Sequence, residues 1–306
     1  MRSFNRFLAS ATQRIDFSKS QDDPFLWACY VTWLGESGCC SDTARKYLSG
    51  IQTLFCEIGQ NIRPLRMPLV KRALTGLRHE DKPKKPPKLP VTVAILSRLA
   101  SLINPDSHPD RTLWAMMTLS TYGLLRCGEI AQDSHDKSRF PRHHHWYLAP
   151  DGVLAHYYLP RSKADRHHDG TTIFVAANGS QTCPVAAMKK LLKKLPFPLS
   201  PTSPLFSLDG YKPVTRQWFL KHTKSLLSKV GYKPESFSGH SFRRGGAQTA
   251  FDSGLPLEEI QRIGRWKSPD VARRYFSFTF HKLHALSADM AKVDPSRPLR
   301  FEASNL

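Results

Sequence analysis

The chain of 306 residues carries 45 lysines and arginines against 25 aspartates and glutamates, which gives a formal net charge of +20 at pH 7. This length suffices for one large domain or two ordinary ones, and a hydrophobic content of 40% argues for folded cores rather than disorder. The basic excess points to nucleic acid or another anionic surface as a partner. We expect no membrane span, because the sequence has no apolar run of sufficient length.

The cysteines and histidines do not form a pattern typical of metal binding. The six cysteines are Cys29, Cys39, Cys40, Cys56, Cys127 and Cys183, and no two of them have Cys-x-x-Cys spacing. Free thiols in a reducing compartment are therefore expected, rather than a zinc site or a disulfide framework. The histidine runs at 143–145 and 167–168 lack a matching second cluster, so we read them as polar loop residues near nucleic acid. We predict no metal ion and no cofactor.

Residues 1–80 are predicted to form a helical domain. Asp23 followed by Pro24 predicts one helix start, and Ser41 is expected to cap the next helix. Apolar residues at helical spacing define the inner faces of two helices: Tyr47, Ile51, Leu54, Phe55 and Ile58 in the first, and Leu69, Val70, Ala73, Leu74 and Leu77 in the second.

Basic residues lie opposite those apolar stripes. They are Arg45 and Lys46 in the first of the two helices, and Lys71 and Arg72 in the second. Basic outer faces on a small bundle are usually only solvated, but the same bias on two helices favours a DNA-facing surface. We therefore predict that residues 1–80 form a DNA-binding domain.

A Pro/Lys-rich linker is predicted at residues 81–91. Four prolines and a lysine run oppose a helix there, so this segment is expected to be extended. Lys84 and Lys85 are predicted to bind DNA, and the run 82–87 is alternatively a nuclear localisation signal. The linker divides the chain into a smaller N-terminal part and a larger C-terminal part.

Residues 92–291 are predicted to form a mainly helical domain with a small inserted sheet. Thr92 caps its first helix, and the pattern between 146 and 178 changes to short strands with turns at 151–152 and around 163–170. Helices return at Pro184 and continue to about residue 291, before a polar tail at 292–306. The expected fold class is mainly α with a small antiparallel β-sheet.

Six residues of this second part fit one chemical scheme. In chain order they are Arg126 in TYGLLRCGEI, Lys163 in RSKAD, His240 and Arg243 in HSFRR, Trp266 in IGRW and Tyr275 in ARRYF. Taken singly, each has an ordinary reading, such as an ion-pair partner of Glu129, a loop lysine or a packing tryptophan. A planar guanidinium suits phosphate, and a histidine and an arginine three apart on a helix share a face.

In this order and context the six residues resemble the catalytic set of the tyrosine recombinase (phage integrase) family. Arg126 precedes Glu129 as in the family's Arg-x-x-Glu box, and Lys163 lies in a turn between two predicted strands. Trp266 and Tyr275 have the family's separation. The sequence pattern GHSFRRGGA…GRW…RRYF looks most like the eukaryotic mobile-element branches of this family, of Crypton or DIRS type.

The resemblance covers residues 92–285 on motifs, and the N-terminal part only in size, helicity and position. It implies a helical core-binding domain followed by an α+β catalytic domain that cuts and rejoins DNA strands at specific sites. Tyr275 would be the nucleophile and would form a 3′-phosphotyrosine bond without metal or ATP. Arg126 and Arg243 would clamp the phosphate, and Lys163 would be the general acid.

The other positions of the motif have implied supporting roles. His240 would act as a base or as a donor to the phosphate, and Trp266 would position and pack its neighbours because an indole cannot shuttle protons. Glu129 would orient Arg126 or His240. Arg244 is either a DNA contact or a surface residue.

The glycine pair at 245–246 follows the histidine and the two arginines of this motif. Residues without a side chain allow either close backbone packing or close approach to a DNA strand. Both readings stay open from the sequence.

The resemblance also implies the partners of the chain. These are double-stranded DNA and a homotetramer on two DNA sites, with a monomer or dimer when free, built through a helix at 281–291. The location would be the nucleus in a eukaryote, and otherwise the cytoplasm or nucleoid. Two alternatives are DNA relaxation like that of a type IB topoisomerase, and a domesticated protein that binds DNA without cutting it. The second is disfavoured by the presence of all six motif residues.

Overall fold

The computed structural model describes residues 2–10, 21–83, 86–132, 140–162, 165, 167 and 169–277. The chain divides into two compact units, residues 1–86 and residues 87–306. The predicted C-terminal helix at 281–291 and the tail at 292–306 lie outside the described residues. So do three predicted site residues, Lys84, Lys85 and Lys163.

The described part of the first unit is helical. Its helices are α1 (Arg2–Ser10), α2 (Pro24–Glu36), α3 (Ser41–Glu57) and α4 (Pro68–Glu80). The predicted start of α2 is confirmed, since the Asp23 carboxylate accepts a hydrogen bond from the backbone N–H of Phe25 at 2.9 Å. The rings of Phe4 and Trp27 stack at 5.0 Å, so aromatic packing joins α1 to α2 in the core of this unit.

Helix α3 differs from the sequence prediction in its cap and in its buried face. Cys40 is the N-cap, and Ser41 is instead the first helical residue, where its N–H and hydroxyl donate to the Asp81 carboxylate at 2.8 and 2.5 Å. Tyr47 and Ile58, predicted to face inward, are 42% and 61% exposed.

The buried line of α3 is Ala44, Leu48, Ile51 and Phe55. This line is rotated by about 50°, or half a residue, from the predicted stripe, and the two share Ile51 and Phe55. Helix α4 agrees with its prediction, with Val70 and Leu74 buried. All four basic residues predicted to lie outside on α3 and α4 are exposed.

Residues 87–91, which the sequence assigns to the linker, belong to the second unit and pack against the rest of it. The backbone N–H groups of Leu89 and Val91 donate to the carbonyls of Ser236 and Ser241, each at 2.8 Å. Val91 is fully buried. Two hydrogen bonds from alternate residues therefore tie the backbone of this segment to the rest of the second unit.

The second unit builds its core around one long helix. Its described helices are α5 (Val93–Ala100), α6 (His108–Tyr122), α7 (Cys127–Ile130), α8 (Pro184–Lys193), α9 (Arg216–Lys229), α10 (Ser241–Asp252), α11 (Leu257–Gly264) and α12 (Pro269–Arg273). Every residue of α6 from 111 to 121 is buried, so this helix is surrounded by the rest of the unit. Thr92 caps α5 as predicted, because its side chain accepts from the N–H of Ile95.

A small sheet is inserted between α7 and α8. Its strands are β1 (Trp146–Leu148), β2 (Leu154–Leu159) and β3 (Thr171–Ala176), and both neighbouring pairs run antiparallel in the order β1-β2-β3. Alternate residues of β2 are buried, as in a sheet with one face on a core. The predicted fold class, mainly α with a small antiparallel β-sheet, is confirmed.

The glycine pair at 245–246 allows close backbone packing inside the second unit. A Cβ on Gly245 would lie 1.8 Å from the carbonyl oxygen of Val91, and one on Gly246 would lie 2.1 Å from that of Thr121. Helix α10 therefore approaches both α6 and the extended segment to distances that only glycine permits. In the described part of the chain, no helix has the length and apolar character needed to cross a membrane.

Candidate active site

The site is built on the turn that follows α6. Helix α6 ends at Tyr122, and Leu124 then adopts φ 46°, a left-handed conformation that is uncommon for a residue with a side chain. Arg126 follows as the N-cap of α7. Its backbone N–H donates to Oε2 of Glu129 at 2.8 Å, so Glu129 takes the position of the N3 glutamate in a capping box.

The Glu129 carboxylate binds two arginines from distant parts of the chain. Nη1 of Arg126 donates to Oε1 at 2.7 Å, and Nη2 of Arg265 donates to Oε2 at 2.8 Å. Glu129 is buried, and its backbone carbonyl accepts a 2.6 Å hydrogen bond from the hydroxyl of Tyr157 on β2. Burial raises the pKa of Tyr157, so this phenol remains a donor at neutral pH.

Arg243 is fully buried beneath the site. Its guanidinium donates to the backbone carbonyls of Leu124 and Gly264, and its central carbon lies 4.4 Å from the centroid of the Trp266 ring. Burial, together with the charges of Arg126 and Arg265, lowers the pKa of Arg243 to about 10. The group therefore stays charged at neutral pH and keeps a positive charge below the surface.

Trp266 and Tyr275 pack together over this buried guanidinium. Their ring centroids lie 4.6 Å apart, and the Tyr275 centroid lies 5.4 Å from the central guanidinium carbon of Arg243. A Cβ on Gly264 would meet the Trp266 ring at 1.8 Å, so the glycine before Arg265 makes room for the indole. The indole N–H of Trp266 is buried without a hydrogen-bond partner among the described residues.

A cleft of about 600 Å³ opens above this arrangement. Its lining residues are Arg126, Cys127, Gly128, Glu129, Arg161, Ser162, Arg216, Gly239, His240 and Tyr275. Among the described residues, three arginines line this cleft, and the one acidic residue that lines it already binds two guanidinium groups. The electrostatics and the size of the cleft suit a phosphate group on a larger molecule.

The structure brings together three of the six motif residues at the cleft. Arg126, His240 and Tyr275 line it, and Arg243 and Trp266 lie beneath it. The arrangement differs from a clamp of two exposed guanidinium groups, because Arg243 is covered by aromatic rings and donates to backbone carbonyls. The physical reason is that the strained turn at 123–125 and the end of α11 present carbonyls at the place where the guanidinium ends.

Lys163 lies outside the described residues, but its neighbours Arg161 and Ser162 line the cleft. Arg244 is half-buried. Glu129 contacts Arg126, which is one of the two orientations expected for it.

Three arginines near the site were missed by the sequence analysis. Arg161 and Arg216 line the cleft, and Arg265 binds Glu129. Arg216 is the first residue of α9, where a cation opposes the helix dipole, and this unfavourable placement is a readable signal. Arg265 lies inside the quoted IGRW motif, but nothing in the sequence indicates that its side chain reaches residue 129.

The histidine run 143–145 is a short 3₁₀ turn rather than a polar loop. His145 is buried, and its Nδ1 accepts from the backbone N–H of Arg142 at 3.1 Å. Burial, with smaller effects of His144 and Arg142, lowers the pKa of His145 to about 4. Within the ranges that the structure describes, no group of three or more histidines, cysteines and acids could hold a metal ion.

The fold of the chain is that of the tyrosine recombinases. The Tn1549 transposon integrase in complex with transposon right end DNA aligns with a TM-score of 0.57 and 15% identity, over 95% of this chain and 98% of that chain. The XerH site-specific recombinase bound to a palindromic difH substrate aligns with a TM-score of 0.60 and 14% identity, over 95% of this chain and 76% of that chain. At these identities the likeness concerns the fold.

A curated relative extends the likeness to the sequence. The integrase/recombinase xerD homolog of Selenomonas ruminantium is 25% identical over 224 residues, which cover 69% of this chain and 60% of the relative. The match thus spans less than two thirds of that protein's length. No protein-family model matches the chain. The resemblance to the tyrosine recombinase and integrase family is confirmed by these proteins, and the narrower likeness to Crypton or DIRS elements stays a prediction.

Proposed function

We propose that the protein is a site-specific DNA recombinase that cuts and rejoins strands through a 3′-phosphotyrosine intermediate. One observation carries this proposal. Arg126, His240 and Tyr275 are spread over 149 positions of the sequence, yet they line a single cationic cleft of about 600 Å³. A phenol, a guanidinium and an imidazole around one cleft are the groups that transfer of a phosphodiester to tyrosine requires.

The chemistry balances without an added energy source. The Tyr275 oxygen attacks the scissile phosphorus, the bond to the 5′ oxygen breaks, and a 3′-phosphotyrosine bond replaces the phosphodiester. The phenolic proton passes to a base, for which His240 in the same cleft is the candidate, and the departing 5′ oxygen takes a proton from Lys163 as general acid. Attack by the free 5′ hydroxyl of another strand reverses the step and completes the exchange.

Stabilisation of the transition state is assigned to the guanidinium groups. Arg126 donates to a non-bridging oxygen in the cleft, while Arg243 supplies positive charge from below. Direct contact between Arg243 and the phosphate requires the rings of Trp266 and Tyr275 to move, because they cover it now. Entry of a DNA strand and movement of the nucleophile would then be linked.

Binding of duplex DNA is assigned mainly to phosphate contacts. The exposed residues Arg45, Lys46, Lys71 and Arg72 of the first unit and Arg161 and Arg216 at the cleft supply the cations, with Arg244, Lys84 and Lys85 as further candidates. The relatives with this fold include proteins solved on DNA. Affinity from such contacts falls steeply as the salt concentration rises.

Assembly and location follow from the same proposal. A recombinase exchanges strands between two duplexes, so we assign a homotetramer on two DNA sites, with a monomer or dimer in the absence of DNA. The site of action is the nucleus in a eukaryote and the cytoplasm or nucleoid otherwise. Light scattering of the protein with and without its DNA site measures this assembly directly.

A covalent-trapping assay tests the proposed function. Randomly nicked double-stranded fragments of the DNA that flanks the gene are incubated with wild type and with Tyr275→Phe, without metal or nucleotide. Adducts are separated on a denaturing gel, and binding is measured in the same samples. We expect an adduct in wild type, a loss of more than about a thousandfold in Tyr275→Phe, and equal binding by both.

The other results identify the alternatives. Binding by wild type without an adduct would mean a DNA-binding protein that does not cut. Adducts that persist in Tyr275→Phe would show that a residue other than Tyr275 is the nucleophile. Relaxation of any supercoiled plasmid by a monomer would indicate topoisomerase-like activity, because a recombinase needs its own sites.

A further inference from the structure

Arg265 occupies a backbone conformation that its residue type does not favour. It ends α11 with φ 56° and ψ 41°, in the left-handed region where glycine or asparagine is usual. Such a conformation costs on the order of 1 kcal/mol or more for a residue with a Cβ. An arginine in this conformation indicates that its side chain makes contacts that glycine could not make.

The side chain of Arg265 reaches the turn that carries Arg126. Its side chain is 15% exposed, and its guanidinium donates to Oε2 of Glu129 at 2.8 Å and to the carbonyls of Gly123 and Leu124 at 3.2 and 3.3 Å. Three acceptors from the segment 123–129 thus converge on one planar group. Arg265 therefore holds Oε2 of Glu129, which also accepts from the backbone N–H of Arg126, while the Arg126 guanidinium holds Oε1.

The shared carboxylate has an electrostatic consequence for Arg126. A simple pair of Arg126 and Glu129 would be neutral overall, which would weaken its attraction for a phosphate. With Arg265 as a second partner, the three side chains together carry a net positive charge, and Arg126 is oriented without being neutralised. The buried cation of Arg243 adds to the positive potential.

We propose that Arg265 is a positioning residue that acts through Glu129 to hold Arg126 in place for a phosphate bound in the cleft. This inference rests on the proposed function. It assigns to Arg265 no contact with the DNA. The role differs from that of the cleft arginines, since Arg265 contacts Glu129 and is not among the residues that line the cleft.

The test uses Arg265→Gly, which removes the guanidinium and accepts the left-handed conformation without strain. The full chain is mixed with the nicked flanking fragment that wild type traps best, and the single-turnover rate of adduct formation is measured at saturating DNA. We expect a loss of roughly tenfold to a hundredfold in rate, since displacement of a catalytic group by about 1 Å can cost roughly a hundredfold. The apparent Kd for the fragment should change by less than about twofold, because Arg265 is not a DNA contact.

Two further variants separate positioning from a merely structural role. Arg265→Lys keeps a charge that can reach Glu129 but lacks the planar fork of guanidinium donors. We expect its rate of adduct formation to be at least roughly threefold higher than that of Arg265→Gly. In a Glu129→Gln background Arg265 no longer has the carboxylate through which it acts. Adding Arg265→Gly to that background should therefore lower the rate of adduct formation by less than about threefold. Arg262→Ala, an exposed cation on the same helix, controls for the loss of charge and should cleave like wild type.

Each result has a defined meaning. A wild-type rate in Arg265→Gly, or an equal loss with and without Glu129, would overturn the positioning role while leaving the recombinase proposal intact. A loss of folded protein in Arg265→Gly that Arg265→Lys does not reverse would make the role structural. Absence of adducts from wild type would reject the proposed function, and the role of Arg265 with it.

Discussion

The two units of the chain use their positive charge in opposite ways. In the described part of the first unit, the buried side chains are apolar except for Ser41, and the arginines and lysines of α3 and α4 are exposed. In the second unit, Arg111 and Arg243 are buried, and Arg265 is almost buried. Exposed cations attract a polyanion at long range but are mobile and screened by salt, whereas buried cations are fixed in direction.

The burial of charge in the second unit is supported by backbone carbonyls as well as by an acid. Arg111 donates to the carbonyls of Pro105 and Lys194 at 2.9 and 2.6 Å, and Arg243 donates to those of Leu124 and Gly264. A carbonyl satisfies a guanidinium donor without cancelling its charge. The second unit is therefore suited to orient charge for chemistry, and the first is suited to hold a polyanion.

The largest effect is expected from removing the Arg126 guanidinium, the charge that the structure orients at the cleft. Arg126→Ala should lower the rate of adduct formation at saturating DNA by roughly a hundredfold to a thousandfold, the loss typical for one preorganised donor to a developing oxyanion. The measurement is single-turnover trapping on the nicked fragment. A rate within threefold of wild type would remove Arg126 from the site, and Arg126→Lys is the charge-preserving control.

The next effect distinguishes two buried arginines of the second unit. Arg243→Met removes the donor to the buried carbonyl of Gly264 and leaves the carbonyl of Leu124 with the 3.3 Å hydrogen bond from Arg265. The loss of these charged hydrogen bonds should reduce the free energy of unfolding by on the order of 3 kcal/mol, or roughly 6–12 °C in Tm. Thermal unfolding followed by circular dichroism measures the loss.

Arg111→Met is the matched control for that substitution. It removes a comparable buried cation at a position away from the cleft, so we expect a similar fall in Tm with an unchanged cleavage rate at a temperature where both variants are folded. Equal cleavage by Arg243→Met would contradict the role of the buried charge in catalysis.

A smaller effect concerns a buried histidine of the second unit. The folded pKa of His145, about 4, lies below the ordinary value of 6.5, so the unfolded chain binds more protons between these values. The stabilisation is therefore complete above pH 6.5 and is lost as the pH falls toward 4, by about 2 kcal/mol at pH 5.

His145→Asn keeps an acceptor for the N–H of Arg142 and removes the titration. The Tm of wild type should fall between pH 7 and pH 5 by roughly 4–8 °C more than that of the variant. Parallel pH curves for the two proteins would mean that His145 titrates normally in the folded state.

The smallest effect tests the exposed charge of the first unit. Arg45→Glu combined with Lys46→Glu should weaken DNA binding by roughly tenfold and flatten the dependence of log K on log salt, by about 0.9 for each phosphate that the variant no longer neutralises. Cleavage at saturating DNA should not change. Arg63→Glu, which alters an exposed cation outside the predicted surface, is the control, and an equal loss of affinity in it would make the effect nonspecific.

The sequence predicted the elements more accurately than the faces they bury. Helix starts at Asp23 and Thr92 were correct because capping is local chemistry between a side chain and the next few N–H groups. The predicted buried face of α3 was wrong by about half a residue of helix rotation, and Ser41 proved to bind Asp81 instead of capping. Both outcomes depend on contacts with residues distant in the chain, which periodicity does not encode.

The candidate site shows the same division. Its residue types, order and spacing were readable, because a family's chemistry requires certain groups at certain intervals. The sharing of the Glu129 carboxylate between Arg126 and Arg265 could not be predicted. Arg265 lies 136 positions from Glu129 and reaches it from a residue with a left-handed backbone conformation. Nor could the sequence tell that Arg243 is covered by Trp266 and Tyr275.

By itself the sequence determined the class of fold and the basic character, because these follow from composition and local pattern, while the candidate residues for chemistry on a phosphate came from the resemblance to a family. Only the tertiary structure decided which of the cationic side chains are exposed and which are buried and bound by carbonyls or a carboxylate. That choice depends on where carbonyls, rings and a single carboxylate meet after packing. The difference between Arg126 in the cleft and Arg243 beneath it is one of position alone, since the two side chains are chemically identical.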